Sequence, residues 1–347
     1  MKALPSLPRA FTLLVVVLLP GCNNSRDNLN PFAGAAQTVA PPKGSALIFA
    51  SSIYSTTPGA GRELFAVDAD GANLTRLTFC NNSAGICDFA EAAPAPDRIR
   101  VGARRASVDN NGDGLINETD GMGLVFMDLS RGIEAVIVPA SRRVSGVDWA
   151  PSTADFFVYS ALPAGGGNED LFTIDFNGQN DRNLTCPADP TTQCDVAVRE
   201  RRPRLDPGES AAAFQRIDAA GTSLIALFAS FGNQPALTTG PSDADPVFAP
   251  DTRHVAFRRM TDAKANGGKG SWDIVTVAQD GTGAQVIASG PAYRGAPDWG
   301  ANGIAWAEAD AEGQRLVVTG TDGSGARTIV TQPAGIPLDN PRWLKPE

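Results

Sequence analysis

"ELFAVDADGANLTRLT", residues 63–78, reads as a short apolar strand, an Asp-Gly turn and a second, more polar strand. Asp-Gly and Asn-Gly mark hairpins because they accept the left-handed backbone that matches the twist of two paired strands. The same pattern returns as "DLFTIDFNGQNDRNLT" (170–185), "WDIVTVAQDGTGAQVIA" (272–288) and "RLVVTGTDGSGARTIV" (315–330). Weaker copies are "GLVFMDLSRGIEAVIV" (123–138) and "LIALFASFGNQPALTT" (224–239), which makes six.

A second signature lies between the hairpins: an apolar residue, often with Pro two places before it, then a turn and another strand. It occurs as "VDWAPSTADFFVYSA" (147–161), "PRLDPGESAAAFQ" (203–215), "PVFAPDTRHVAFR" (246–258) and "PDWGANGIAWAE" (297–308), and in degenerate form as "AAPAPDRIRVGA" (92–103). Each unit therefore holds four short strands and repeats every 43 to 60 residues. Such units bury their faces by radial stacking, which predicts an all-β fold, a six-bladed β-propeller of four-stranded blades. The chain ends agree with this. "ALIFASS" (46–52) is a second strand without its inner partner, and "NPRWLKPE" (340–347) is an inner strand without a continuation. Pairing the N-terminal and C-terminal strands closes the ring.

"PVFAPDTRHVAF" and "ELFAVDADGANLTRLT" resemble the TolB-type, WD-like propeller repeat, and the resemblance covers roughly residues 46–347. The family has a further amino-terminal domain where this chain has only a linker, so the resemblance speaks for fold more than for role. It implies that strands run from the inside of each blade outward. First-to-second and third-to-fourth connections then share one plain face. The opposite face carries "SIYSTTPGAGR" (52–62), "PAGGGN" (163–168), "MTDAKANGGKGS" (260–271), an acidic loop at 109–120 and all four cysteines of the globular part. Binding concentrates on loops held by a rigid scaffold, so the elaborated face is the expected place for a protein or glycan partner.

The chain begins with an address. Lys2 and Arg9 precede a nine-residue apolar core, Phe11–Leu19, far short of the roughly 20 residues that span a bilayer. The segment ends in "LPGC" (19–22), which resembles the lipobox of bacterial lipoproteins. That resemblance implies a signal peptide over 1–21, lipidation of Cys22 and a mature protein anchored in the cell envelope. Asn23 fits sorting to the outer membrane, facing the periplasm or the surface. Residues 22–45, rich in Asn, Ala, Pro and Ser, read as a lipidated tether before the propeller at 46–347. Loss of Lys2 and Arg9 leaves 27 basic against 38 acidic residues, a net charge of −11, which argues against a nucleic-acid partner. A single propeller of this kind is expected to be monomeric.

Cys80 with Cys87, and Cys186 with Cys194, form two close pairs in a chain exported to an oxidising compartment, so two local disulfides are expected. Zinc is the rival reading, but the only histidine, His254, is distant and the spacing exceeds that of zinc knuckles.

"DNNGDGLINETD" (109–120) follows the pattern D-x-N-x-D-G-x-I-N-x-x-D of EF-hand and dockerin calcium loops, which it resembles. That resemblance implies side-chain oxygens from Asp109, Asn111, Asp113, Asn117 and Asp120, with the Leu115 carbonyl completing the set. Gly114 would permit the sharp turn, and Ile116 would point inward to pin the loop. Gly121 and Gly123 leave no exiting helix, so one calcium ion is expected to brace the loop, not to signal. The alternative is a solvated acidic turn.

Catalytic signals are sparse. A lone histidine cannot serve a histidine-rich metal centre, and G-x-S-x-G is absent. The reading is therefore a membrane-anchored, non-catalytic binding or scaffold propeller. The alternative is a hydrolase or lyase with a carboxylate-based or metal-assisted site at the channel mouth. Trp149, Trp299, Trp306 and Trp343 are expected in the core, and Trp272, beside a long loop, at a contact surface.

Overall fold

The structure is a computed structural model that describes residues 44–53, 61–79, 87–186, 197–229 and 234–344. The signal segment, Cys22, most of the tether, Cys80 and Cys194 lie outside these residues.

Six antiparallel sheets form the six blades of a propeller. Blade 1 closes the ring. Its inner strand, Leu338–Trp343, comes from the end of the chain and pairs with Ala46–Ser51, which pairs with Glu63–Asp68 and then Thr75–Arg76. The other blades start at Asp88–Pro94, Gly146–Trp149, Arg199–Leu205, Asp243–Phe248 and, for blade 6, Tyr293–Arg294 with Asp298–Gly300. The order from inside to outside follows the chain in each of them.

Strands in the middle of a blade are buried on both faces, because a neighbouring blade lies on each side. Ala46–Ser51 is buried at all six positions. Period-2 alternation therefore sorts residues between two cores instead of between core and water. Leu47 and Phe49 pack with Val318 and Trp343 toward blade 6, while Ala46, Ile48 and Ala50 pack with Phe89 and Val101 toward blade 2. Phe248, Val255 and Phe257 meet Ile225 of blade 4, and Val247 and Ala256 meet Ile304 and Trp306 of blade 6. Large residues on one face opposite alanines on the other let wedge-shaped blades approach closely, as at Phe65 against Ala66.

Two blades depart from four regular strands. Among the described residues blade 4 has three, Arg199–Leu205, Ala211–Ile217 and Ser223–Ala229, with a single bridge between Ala226 and Ala236 beyond them. The inner strand of blade 6 is split in two by residues 295–297, and both pieces pair with Gly303–Asp310.

Trp149, Trp306 and Trp343 are buried as expected. Trp272 is not a contact residue. It is buried, with Nε1 donating to the Lys269 carbonyl at 2.9 Å and the Arg258 guanidinium 4.1 Å from the ring centre. The long loop covers the ring and uses its one polar atom.

Candidate functional site

The six inner strands line the axis, and what they present there is charge. Glu91 of blade 2, buried to 1 %, lies 2.9 Å from Arg202 and 3.1 Å from Arg204 of blade 4. Arg342 of blade 1 is 3.6 Å away, and Arg104 of blade 2's second strand is 3.8 Å away. Asp148 of blade 3 pairs with Arg342 and accepts the Leu205 N–H at 2.9 Å. Asp298 of blade 6 lies 3.2 Å from Arg342 and accepts the Trp343 N–H at 2.7 Å. Asp245 of blade 5 pairs with Arg258 and lies 3.4 Å from Arg202. Four carboxylates and five guanidinium groups thus tie all six blades together.

Backbone irregularity aims part of this set. Arg202, Asp245 and Asn340 have φ of 53°, 52° and 48°, each precedes a proline, and each stands where the inner-strand register slips. Proline has no N–H for the ladder, so a bulge forms there without leaving a donor unpaired, and the bulged residue turns toward the axis. Burial alone would raise the Asp245 carboxyl, but Arg258 and Arg202 outweigh it and hold it below the usual carboxylate range. Burial alone would lower Arg202, but Glu91 and Asp245 hold its guanidinium more firmly protonated than usual.

The acidic loop sits on the elaborated face, as the connection between the second and third strands of blade 2. Its side chains fold over its own backbone. Asp109 accepts from the N–H groups of Gly112 at 2.7 Å and Gly114 at 2.9 Å. Asp120 accepts from Asn110, Asn111 and Asn117, at 2.8, 3.1 and 3.0 Å. Burial pushes the Asp120 carboxyl up, and these three N–H donors hold it down below its ordinary value. Asn111 donates to Asp113 at 3.1 Å, and Asn117 caps a single 3₁₀ turn over Glu118–Asp120. Gly114 has φ +84°, and Ile116 is buried against Ala90, Ala106 and Met122. Gly121, at φ +88°, turns the chain straight into Gly123–Asp128, so a strand follows where a helix would in a two-helix ion loop. Among the described residues no three His, Cys, Asp or Glu side chains are gathered as a metal-ligand group. Hydrogen bonds to the loop's own amides hold the three aspartates in place instead. Leu115 donates its N–H to Asp113 at 2.8 Å.

Glu118 joins this loop to its surroundings. It lies 3.0 Å from Arg62 and 3.8 Å from Arg104, and Arg62 also holds Asp88 and Asp339 at the ring closure. Partial desolvation raises the Glu118 carboxyl, but Arg104, Arg62 and Arg202 bring it down to about 2.

Beside Glu118 opens a pocket of about 390 Å³ between blades 2, 3 and 4. The acidic loop, the 162–169 connection and the start of blade 4 meet around it, all from the elaborated face. Arg104, Arg143, Arg199 and Arg201 line it against Glu118 and Glu169. Arg201 is 2.9 Å from Glu169, while Arg143 and Arg199 have no ion-pair partner among the described residues. Arg104 is buried, and its Nη1 makes no hydrogen bond, with carboxylates at 3.8 Å from Glu91 and Glu118.

The other candidate residues stand apart. His254 is half-exposed, 3.7 Å from Asp251 and 6.3 Å from the Trp299 ring. Cys87 is fully buried before blade 2, and the Cys186 N–H bonds to Asn183 at 2.8 Å. Cys80 and Cys194 are outside the described residues, and with them the two pairings.

The axial network was not anticipated, though a signal for it exists. Aligned on Trp149, Leu205, Phe248, Trp299 and Trp343, the repeats carry charge one place before (Asp148, Arg204, Asp298, Arg342) or three places before (Arg202, Asp245), and Glu91 holds the latter place in blade 2. At least one of these two positions is charged in every repeat, which marks a polar axis.

No known family profile matches the chain, and no curated protein matches it. Its fold is similar to that of TolB from Acinetobacter baumannii, with a TM-score of 0.64 at 16% identity over 87% of this chain and 67% of that one. Putative TolB from Agrobacterium tumefaciens gives 0.58 at 13% identity, over 84% and 90%. A chain of the nidogen/laminin complex gives 0.58 at 11%, over 87% and 98%. At these identities the likeness is one of fold: a TolB-like six-bladed propeller.

Proposed function

We propose that this protein is an exported, lipid-anchored binding module of the cell envelope, held at the membrane through Cys22 and engaging a protein or glycan partner with the elaborated face of its propeller. One observation carries this reading. The acidic loop, the 162–169 connection and the first strand of blade 4 converge on an open, arginine-lined pocket, while the axial carboxylates are consumed by ion pairs. A catalytic carboxylate needs a proton to give or take near the working pH, and Asp245, held low by two arginines, has no such freedom.

Calcium fits the acidic loop by donor chemistry. Asp109, Asn111, Asp113, Asn117 and Asp120 are all oxygen donors, and the Leu115 carbonyl supplies a sixth. Each carboxylate oxygen of Asp109 and Asp113 accepts one N–H and keeps a lone pair for a hard cation. The ion would draw Asp109, Asp113 and Asp120 together and brace the loop that presents Glu118 to the pocket.

The second reading, a hydrolase or lyase at the channel mouth, has in its favour that four carboxylates do meet on the axis.

The deciding experiment captures partners from envelope extracts on the full chain in detergent, with Arg143→Ala/Arg199→Ala beside it. Specific capture by the wild type supports the module. Turnover of an envelope polysaccharide that Glu91→Gln abolishes would replace the module with the enzyme. Mass spectrometry of the mature amino terminus, with Cys22→Ser releasing the protein from membranes, tests the anchor.

A further inference from the structure

We infer that the pocket between blades 2, 3 and 4 is a binding site for a small organic carboxylate, gripped by Arg143 and Arg199 and backed by Arg104. This rests on the binding-module reading and names the chemistry of its ligand.

The protein as a whole carries a net charge of −9, yet this pocket collects four guanidinium groups against two carboxylates. One pair, Arg201 with Glu169, neutralises itself at 2.9 Å. Glu118 is shared between Arg104 at 3.8 Å and Arg62 at 3.0 Å, so it does not fully answer either. Arg143 and Arg199 are exposed and have no carboxylate partner among the described residues. Unpaired surface arginines are ordinary when scattered. Here two converge on one concavity, beside a third that is buried with an unbonded Nη1. A buried donor left without an acceptor is costly, and an oxyanion reaching the pocket would supply one.

Burial pulls the Arg104 guanidinium down to about 10, and Arg202 and Arg62 nearby add to that, against Glu118 and Glu91. The planar fork of arginine matches a carboxylate with two parallel hydrogen bonds. A volume of about 390 Å³ suits a small molecule or the acidic end of a larger one. Phosphate shares the oxyanion chemistry, and the test separates it.

Calorimetry on the full chain in detergent uses N-acetylglutamate, its uncharged diamide N-acetylglutaminamide, and inorganic phosphate. N-acetylglutamate should bind 1:1 and weaken as salt rises, with N-acetylglutaminamide silent. Arg143→Ala/Arg199→Ala, two exposed positions, should weaken binding by at least about tenfold, as the loss of one charge-assisted contact implies, with an unchanged far-ultraviolet spectrum. Phosphate binding without N-acetylglutamate binding overturns the carboxylate assignment. No binding by either, or equal binding by the double variant, overturns the site. If the double variant captures the envelope partner as well as wild type but N-acetylglutamate gives no heat, this inference fails and the module stands. If N-acetylglutamate binds and no partner is captured, the module fails and the pocket stands.

Discussion

Glu91→Gln is the sharpest perturbation of the fold. The side chain is buried to 1 % and faces Arg202, Arg204, Arg342 and Arg104 at 2.9, 3.1, 3.6 and 3.8 Å. Glutamine keeps the shape and one acceptor, removes the negative charge and points an N–H₂ at guanidinium groups. Removing one partner of a buried ion pair costs about 3–5 kcal/mol, because the remaining charge stays desolvated and uncompensated. Unfolding entropy of about 2.1 cal/mol/K per residue over roughly 300 residues gives about 0.6 kcal/mol/K. A loss of about 4 kcal/mol should therefore lower Tm by about 6 °C. Differential scanning calorimetry on the full chain measures this. Arg204→Met in the Glu91→Gln background should then cost less than in wild type, by a coupling of about 1–3 kcal/mol. A Tm within about 1 °C of wild type, or additive losses in the double variant, would refute the claim that Glu91 is the hub on which the blades close.

Calcium should bind the chelator-treated protein about 1:1 with Kd of roughly 10⁻⁴ to 10⁻³ M, since no helix pair preorganises the loop. At about 10 mM it should add about 2 kcal/mol of stability, and Asp109→Ala/Asp120→Ala should abolish the effect; absence of heat at millimolar calcium leaves an acidic turn. Because Asp245 has a folded-state pKa below its ordinary 3.8, its stabilisation is present above that value and lost as pH falls through the folded value. Asp245→Asn should therefore be less stable than wild type at neutral pH and show a shallower acid limb in pH-dependent melting. Non-reducing peptide maps should link Cys80 to Cys87 and Cys186 to Cys194, each bridge contributing no more than about 3 kcal/mol for so short a loop; peptides crossing between the loops would refute the pairing.

The propeller was legible because its information is local and repeated. A turn such as Asp70-Gly71 fixes a hairpin within a few residues, and six copies at near-regular spacing leave radial stacking as the way to bury both faces. Ring closure was legible from two incomplete half-blades, and strand pairing between Ala46–Ser51 and Leu338–Trp343 bears it out. Trp272 stands beside a long loop in the sequence, which suggests exposure, but that loop folds back and the Lys269 carbonyl accepts from the indole.

Sequence by itself therefore determined the blade, its count and the face on which the insertions stand. Tertiary structure alone decided what the blades hold between them. Glu91, Arg204 and Arg342 are separated by more than 100 residues and meet only at the axis, where a charge in one repeat is answered by a charge in another. The arginine pocket has the same origin, since Arg104, Arg143 and Arg199 belong to three blades. Hydrogen bonds and turns act between near neighbours and leave a periodic trace in the sequence. Coulomb pairing acts through space: the repeats carry the charges, but which charge answers which is decided only when the ring has closed.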